Sequence, residues 1–128
     1  MKTFSLILLC SSLLFAQSAQ EIMKQNGCFN CHAIASKKAA PAFAGIGKRN
    51  KMFEGANAKS TIINSIKNGS NGKYPKFANS AMPPYPNLTQ EQLNTLADFI
   101  LEQSSKAKRH NGGCMQSGGK RGTMGRNF

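Results

Sequence analysis

Two cysteines and a histidine lie within five positions of one another, as Cys28, Cys31 and His32. Two thiols three positions apart project from one turn of chain, so both can bond to neighbouring points of one flat group. The spacing C-x-x-C-H is typical of covalent haem attachment. Each thiol would add to one vinyl group, and the adjacent imidazole would bind the iron. We therefore predict one haem c attached through Cys28 and Cys31, with His32 as an iron ligand.

Other sites can be built from the same cysteines. A C-x-x-C pair forms a dithiol redox centre in βαβ folds, but no βαβ pattern occurs in this sequence. The pair could also bind zinc together with His110 and Cys114, whose spacing suits zinc ligands. Combined with the basic C-terminal residues, such a site would make a nucleic-acid-binding module. An export signal would argue against this module.

A second axial ligand decides whether the iron can bind a substrate. A methionine thioether leaves no vacancy and suits electron transfer. The candidates after residue 19 are Met23, Met52, Met82, Met115 and Met124. Met23 precedes the motif too closely, Met52 lies in a polar connector, and the last two belong to the C-terminal tail. Two prolines after Met82 stiffen its loop, so we favour Met82; the alternative is a haem enzyme or gas sensor with an open sixth position.

Residues 1–19 have the composition of a secretory signal peptide. Lys2 is followed by an apolar run from residue 4 to residue 15 and then by small residues. The run is shorter than the roughly 20 apolar residues that span a bilayer, although an uncleaved anchor remains the alternative. We expect cleavage after Ser18 or Ala19 and a periplasmic location. Haem attachment would then consume two of the three remaining cysteines.

Helices must position the motif, since no stretch of the sequence alternates with a period of two. Short helices are predicted at 20–27, leading into the motif, and at 58–67. The clearest helix begins at a capping box formed by Thr89 and Gln92. Its apolar positions recur at helical spacing, and they are Leu93, Leu96, Ala97, Ile100 and Leu101. The predicted fold class is all-α.

Long loops are expected to connect these helices. Residues 33–47 contain Pro41 and two glycines, and we predict a loop with one brief helical turn there. Residues 48–53 are expected to add no more than a short turn. The segment 70–88 contains four prolines and is predicted as loop or extended chain, because proline interrupts a helix.

Charge divides the 128-residue chain, which is long enough for one domain. After the signal at 1–19, the predicted domain at 20–103 has ten basic and five acidic residues, a charge of +5. The tail at 104–128 has six basic residues and no acidic one, a charge of +6, and we expect it to be flexible. Contact with an anionic membrane surface, a disulfide through Cys114, and soft-metal capture by His110, Cys114 and Met115 are hypotheses for it.

Five blocks of this sequence resemble the small monohaem class I cytochromes c of bacteria. They are NGCFNCHAI (26–34), APAF (40–43), IKNGSNG (66–72), AMPP (81–84) and LADFIL (96–101). They follow the order of the family and span about residues 22–103. The resemblance implies short helices and long loops around one covalently bound haem, with N- and C-terminal helices that cross near it. It also implies His32 and Met82 as axial ligands.

The resemblance extends to residues around the ligands. Pro41 is similar to a family proline whose carbonyl accepts the ring N–H of the haem-binding histidine, which would orient the ring. Tyr74 stands where relatives place an aromatic residue near a haem propionate. Ser65 stands where a relative has a basic partner for a propionate. Gly27 and Phe99 are expected to meet where the helices cross.

The expected function is that of a periplasmic one-electron carrier, not an enzyme. Its partners would be redox proteins with acidic docking faces: a quinol-oxidising complex as donor, and an oxidase, peroxidase or reductase as acceptor. Lysines near the haem-bearing segments would steer such encounters; they are Lys37, Lys38, Lys48, Lys73 and Lys76. We expect no specific nucleic-acid partner.

Overall fold

The computed structural model describes residues 16–111, with side chains through residue 107. Its α-helices are α1 (Ala19–Gln25), α2 (Cys28–Cys31), α3 (Phe43–Glu54), α4 (Ala58–Asn68) and α5 (Gln90–Asn111). Two 3₁₀ turns cover Gly55–Asn57 and Pro75–Phe77. Between residues 16 and 111 there is no strand, only an isolated antiparallel bridge. The predicted all-α fold class is confirmed.

Capping boxes start the first and last helices. The backbone N–H of Thr89 donates to the side chain of Gln92 (3.0 Å), and the N–H of Gln92 donates to the Thr89 hydroxyl (3.2 Å). This is the predicted box. A second box joins Ser18 and Glu21 at the start of α1, and the same hydrogen bonds lower the pKa of Glu21. Ser18 is therefore the N-cap of α1 and part of the folded domain, although the sequence analysis placed it at the end of the signal.

The core lies between α1, α3, α4 and α5. Four residues of the predicted apolar stripe of α5 are buried and face apolar residues of the other three helices: Leu93, Leu96, Ala97 and Ile100. The buried apolar members of the core cluster are Ala19, Ile22, Met23, Phe43, Ile62, Ile66, Leu93, Leu96, Ala97 and Ile100. Their burial provides most of the stabilisation, since each fully buried aliphatic side chain contributes about 1.5–3 kcal/mol.

The prediction for residues 43–54 was wrong, because this segment forms α3, a helix of 12 residues. Its glycines indicated a loop, yet Gly47 is a packing residue. A Cβ atom at Gly47 would lie 2.3 Å from the carbonyl oxygen of Ile100, so only glycine lets α3 approach α5 this closely. The close approach is thus made at Gly47. Gly27 was expected to meet Phe99 at a helix crossing. It has a left-handed φ of 69°, and the only atoms that a Cβ there would meet within 4 Å belong to Asn30.

Helix α5 continues past residue 103, where the folded domain was expected to end. Gln103 and Ser104 are buried, and Lys51 of α3 donates hydrogen bonds to the Leu101 carbonyl (2.8 Å) and the Ser105 hydroxyl (3.0 Å). The start of the predicted tail is therefore packed against α3. Residues 1–15 and 112–128, with most of the predicted signal at 1–19 and with Cys114, lie outside the described residues. Between residues 16 and 111, no helix is long and apolar enough to cross a membrane.

Candidate functional site

The C-x-x-C-H motif lies on α2, a single helical turn directly after α1. Gly27 joins the two helices with a left-handed backbone conformation (φ 69°), which costs glycine little. The backbone N–H of His32 donates to the Cys28 carbonyl (3.0 Å) and ends the turn. Cys28 is half-buried and Cys31 is exposed, and burial raises the pKa of the Cys28 thiol. Both thiols line the same cavity as His32.

The imidazole of His32 is held from two sides. Its Nδ1 atom lies 2.7 Å from the carbonyl oxygen of Pro41, the contact that the resemblance implied. Because a carbonyl only accepts, Nδ1 is the nitrogen that donates here, and in the neutral imidazole Nε2 then has the lone pair. The ring of Phe43 stacks on the imidazole, with centroids 5.0 Å apart. Phe43 belongs to the APAF block, but its contact with His32 was not predicted from the sequence.

Met82 lies on the long loop between α4 and α5, and its backbone is tied to the end of α4. Met82 and Ser70 exchange two backbone hydrogen bonds of 3.1 and 2.8 Å. Gly69 makes this possible, because its φ is +77° and a Cβ there would lie 2.7 Å from the Met82 carbonyl oxygen. The Met82 side chain is half-buried and lines the cavity. Met52 is 66% exposed, whereas Met23 is buried in the core.

A cavity of about 510 Å³ brings the predicted ligands together. This volume falls within the usual range of about 300–1,000 Å³ for small-molecule and cofactor sites. Its walls include Cys28, Cys31, His32 and Met82, and the apolar wall residues include Phe43, Ile46, Ile62, Ile66, Leu96 and Ile100. Two thiols, an imidazole nitrogen with a lone pair, a thioether and apolar walls are the groups that bind a haem c. The residues present therefore fit this cofactor.

Part of the cavity wall is polar. Asn50, Ser65, Lys73 and Tyr74 all line the cavity, and Asn50 is only 2% exposed. Lys73 Nζ donates to Asn50 Oδ1 (3.4 Å) and to Ser65 Oγ (3.3 Å), and Asn50 Nδ2 donates to the Tyr74 hydroxyl (3.4 Å). Burial raises the pKa of Tyr74 and lowers the pKa of Lys73. The sequence singled out Tyr74 but gave no role to Asn50.

The five lysines considered for docking differ in their surroundings. Lys37, Lys48 and Lys76 are exposed. Lys38 is also exposed, and its Nζ donates to the Phe29 carbonyl oxygen (2.8 Å). Lys73 alone among the five is half-buried and lines the cavity, so it is not equivalent to the other four.

The zinc alternative needs Cys28, Cys31, His110 and Cys114 as ligands. No group of three His, Cys, Asp or Glu side chains between residues 16 and 107 is arranged to hold a metal ion. Two of the four predicted zinc ligands, the side chains of His110 and Cys114, lie outside the described side chains.

Comparison with known proteins gives consistent matches over most of the folded domain. The family model described as "Cytochrome c" matches residues 16–104. Cytochrome c-551 of Pseudomonas aeruginosa is 34% identical over 110 residues, covering 80% of this chain and 99% of that protein. Cytochrome c-552 of Hydrogenobacter thermophilus is 31% identical over 101 residues, covering 79% and 97%.

The backbone is similar to solved structures as well. The crystal structure of wild-type Nitrosomonas europaea cytochrome c552 superimposes with a TM-score of 0.57 and 28% identity. The match covers 66% of this chain and 98% of that one. The structure of a class 1 cytochrome from Sideroxydans lithotrophicus superimposes with a TM-score of 0.54 at 20% identity, which supports the fold alone.

Proposed function

The chain belongs to the cytochrome c family, and we propose that it carries single electrons in the periplasm through one haem c held in the cavity between α2, α3, α4, α5 and the Met82 loop. The family's cofactor is a single covalently attached haem c, and its members act as electron carriers. The observation that carries the proposal for this chain is the shared cavity: Cys28, Cys31, His32 and Met82 all line it.

In this proposal Cys28 and Cys31 form the thioether bonds, and His32 Nε2 and the Met82 sulfur bind the iron. The cofactor supplies a one-electron Fe(III)/Fe(II) couple. The protein holds the imidazole in one orientation through the Pro41 carbonyl and the Phe43 ring. The two hydrogen bonds to Ser70 hold the backbone of Met82, so the protein itself holds both residues that would bind the iron.

Two protein ligands would leave the iron no free position for a substrate. This favours a carrier over a haem enzyme or gas sensor, which would need an open sixth position. The absorption spectrum of the purified protein tests the difference. We expect low-spin bands in both oxidation states and a thioether-to-iron band in the oxidised form. A high-spin oxidised form, or binding of added carbon monoxide by the reduced wild-type protein, would contradict the carrier.

Export would place the protein in the periplasm. The capping box makes Ser18 part of the folded domain, and Gln17 Oε1 accepts a hydrogen bond from Gln92 Nε2 of α5 (3.1 Å). Cleavage after Ser18 or Ala19, as expected from the sequence, would remove the N-cap of α1. We therefore propose that cleavage follows Ala16, a small residue suited to the position before the cleaved bond.

Mass spectrometry of the protein purified from periplasm tests both export and attachment. The expected mass is that of the chain from Gln17 plus one covalently bound haem. A chain that begins at Ala19 or Gln20 would contradict the revised cleavage position. A chain that keeps residues 1–16 would contradict cleavage itself, and a colourless chain without the added mass would contradict the whole function.

The proposed partners are redox proteins with acidic docking faces. A quinol-oxidising complex would donate electrons, and an oxidase, peroxidase or reductase would accept them. The exposed cationic side chains of Lys37, Lys38, Lys48 and Lys76 support this, since complementary charge speeds encounter. Stopped-flow reduction by such a complex should slow as salt is added, because screening shortens the range of attraction.

A further inference from the structure

The ammonium group of Lys73 lacks an acidic partner although it is half-buried. It donates to two neutral oxygens, Asn50 Oδ1 and Ser65 Oγ. Between residues 16 and 107, carboxylates lie within 4.0 Å only of Lys59 and Lys106. A cation removed from water is destabilised unless a negative group compensates it. The position of Lys73 in the cavity wall suggests that the compensating charge comes from the cavity side.

We propose that Lys73 binds a propionate of the haem and supplies the cation that position 65 lacks; this rests on the proposed function. A haem is apolar except at the edge that carries its two carboxylates. The cavity has many apolar wall residues, and Asn50, Ser65, Lys73 and Tyr74 form a hydrogen-bonded polar cluster in one part of the wall. Lys73 Nζ lies 3.3 Å from Ser65 Oγ, so the cation of residue 73 lies beside position 65.

The polar cluster holds Lys73 in this position. Asn50 is almost fully buried, and its amide donates to both the Ile46 carbonyl (2.9 Å) and the Tyr74 hydroxyl (3.4 Å), so its Oδ1 is turned toward Lys73. Charged groups on α3 also act on the ammonium: Glu54 raises its pKa and Arg49 lowers it. Lys73 is thus held where its ammonium can meet a carboxylate that enters this part of the cavity.

A cation at Lys73 would shift the redox equilibrium of the haem iron. Reduction removes one positive charge from the iron, so a nearby cation favours the reduced form, and an unpaired propionate favours the oxidised form. Replacing Lys73 by a neutral residue should lower the midpoint potential. It should also change the hydrogen bonding of one propionate, which a purely structural role for Lys73 would not do.

The test compares Lys73→Gln with Lys76→Gln in exported holoprotein. Both variants lose one positive charge, and Lys76 is an exposed residue three positions away. The readouts are the propionate bending band in the resonance Raman spectrum and the midpoint potential at low salt. We expect Lys73→Gln to shift the band and lower the potential more than Lys76→Gln does. Adding Ser65→Lys to Lys73→Gln should restore both values toward wild type.

Equal spectra and potentials for Lys73→Gln and Lys76→Gln would overturn the proposal for Lys73 while leaving the electron-carrier function intact. Wild-type protein without haem would overturn both. If Lys73→Gln fails to accumulate, recovery of holoprotein by Lys73→Arg and by the double variant with Ser65→Lys supports the proposal. Failure of those two variants to accumulate counts against it.

Discussion

The ligands of the proposed haem differ in how the protein holds them. His32 is fixed by a carbonyl acceptor and a stacked ring, a second layer of contacts that orients an imidazole and increases its basicity as a ligand. Met82 is held through its backbone, by the hydrogen bonds to Ser70. The histidine side therefore depends on side-chain packing, and the methionine side depends on the conformation of a loop.

Replacing Met82 by alanine should open the sixth position of the iron. We expect the thioether-to-iron band to disappear and the midpoint potential to fall by a measurable part of the ~0.8 V range that axial ligands set. Absorption spectra and a redox titration of holoprotein measure both. Met52→Ala is the matched control, because Met52 is 66% exposed, and it should leave both unchanged. A native spectrum and potential for Met82→Ala would exclude Met82 as the ligand.

The candidate site was predictable where its chemistry lies in short motifs. Cys28, Cys31 and His32 follow from one spacing, and Met82 follows from the prolines after it. Asn50 and Lys73 were not predictable as neighbours, because 23 positions separate them and only the packing of α3 against the long loop brings their side chains together. Nor does an isolated asparagine in a basic segment reveal that it is buried.

At the scale of the elements, the crossing of α3 and α5 depends on Gly47. The sequence suggested a loop there because glycine is common in turns and because α3 has few apolar side chains. Tertiary packing explains the glycine in this helix. The backbone of α5 can approach α3 this closely only at a position that has no side chain. The predictions for α1, α4 and α5 were confirmed because their apolar spacing or caps are local signals.

Gly47→Ala should destabilise the protein, since its Cβ would lie 2.3 Å from the Ile100 carbonyl oxygen. Overpacking of this kind costs about 1–3 kcal/mol. Gly45→Ala is the control in the same helix, because a Cβ there meets nothing within 4 Å, and it should raise the free energy of unfolding by up to about 1 kcal/mol. Denaturant unfolding followed by circular dichroism measures both. Equal effects of the two substitutions would exclude the close crossing.

Gly69 has a corresponding role for the Met82 loop. Gly69 and Gly72 both have positive φ values, so alanine at either position is strained. Gly69 also has a ψ of 174°, a combination that is essentially restricted to glycine and that costs other residues about 1–3 kcal/mol. Only at Gly69 would the added Cβ also meet the Met82 carbonyl oxygen, at 2.7 Å. We therefore expect Gly69→Ala, but not Gly72→Ala, to weaken the thioether-to-iron band of holoprotein. A band of native intensity in both variants would show that Gly69 does not position the ligand.

For the whole molecule, charge is the property that acts beyond the site. The chain has a formal net charge of +12 and a sequence pI of about 10.0, and haem propionates would offset at most two of these charges. Much of the excess lies after residue 103, partly on the last turns of α5, where basic residues also interact favourably with the helix dipole. The net positive charge should therefore attract anions to the molecule, whichever protein is its partner.

Small redox reagents of opposite charge test this field without a protein partner. Oxidation of the reduced holoprotein by an anionic metal complex should be fast at low salt and should slow by about 10-fold or more as salt is added, since steering raises such rates by roughly 10–10³. A cationic complex should show the opposite trend. Salt dependence of the same sign for both reagents would contradict a dominant role for the protein's charge.

Single lysine variants then locate the part of the surface through which electrons pass. Lys76 follows Pro75 in the turn Pro75–Phe77, whose Phe77 lines the cavity, whereas Lys59 lies on α4 and pairs with Asp98 at 2.8 Å. Both Lys→Gln changes remove one charge, and salt screens each charge beyond the Debye length of about 10 Å at 0.1 M. A charge next to Phe77 should therefore act more strongly on an encounter at the cavity than a charge that is already paired with Asp98. We expect Lys76→Gln to slow oxidation by the anionic complex more than Lys59→Gln does. Equal slowing would mean that net charge alone, and not a docking face at the cavity, governs the encounter.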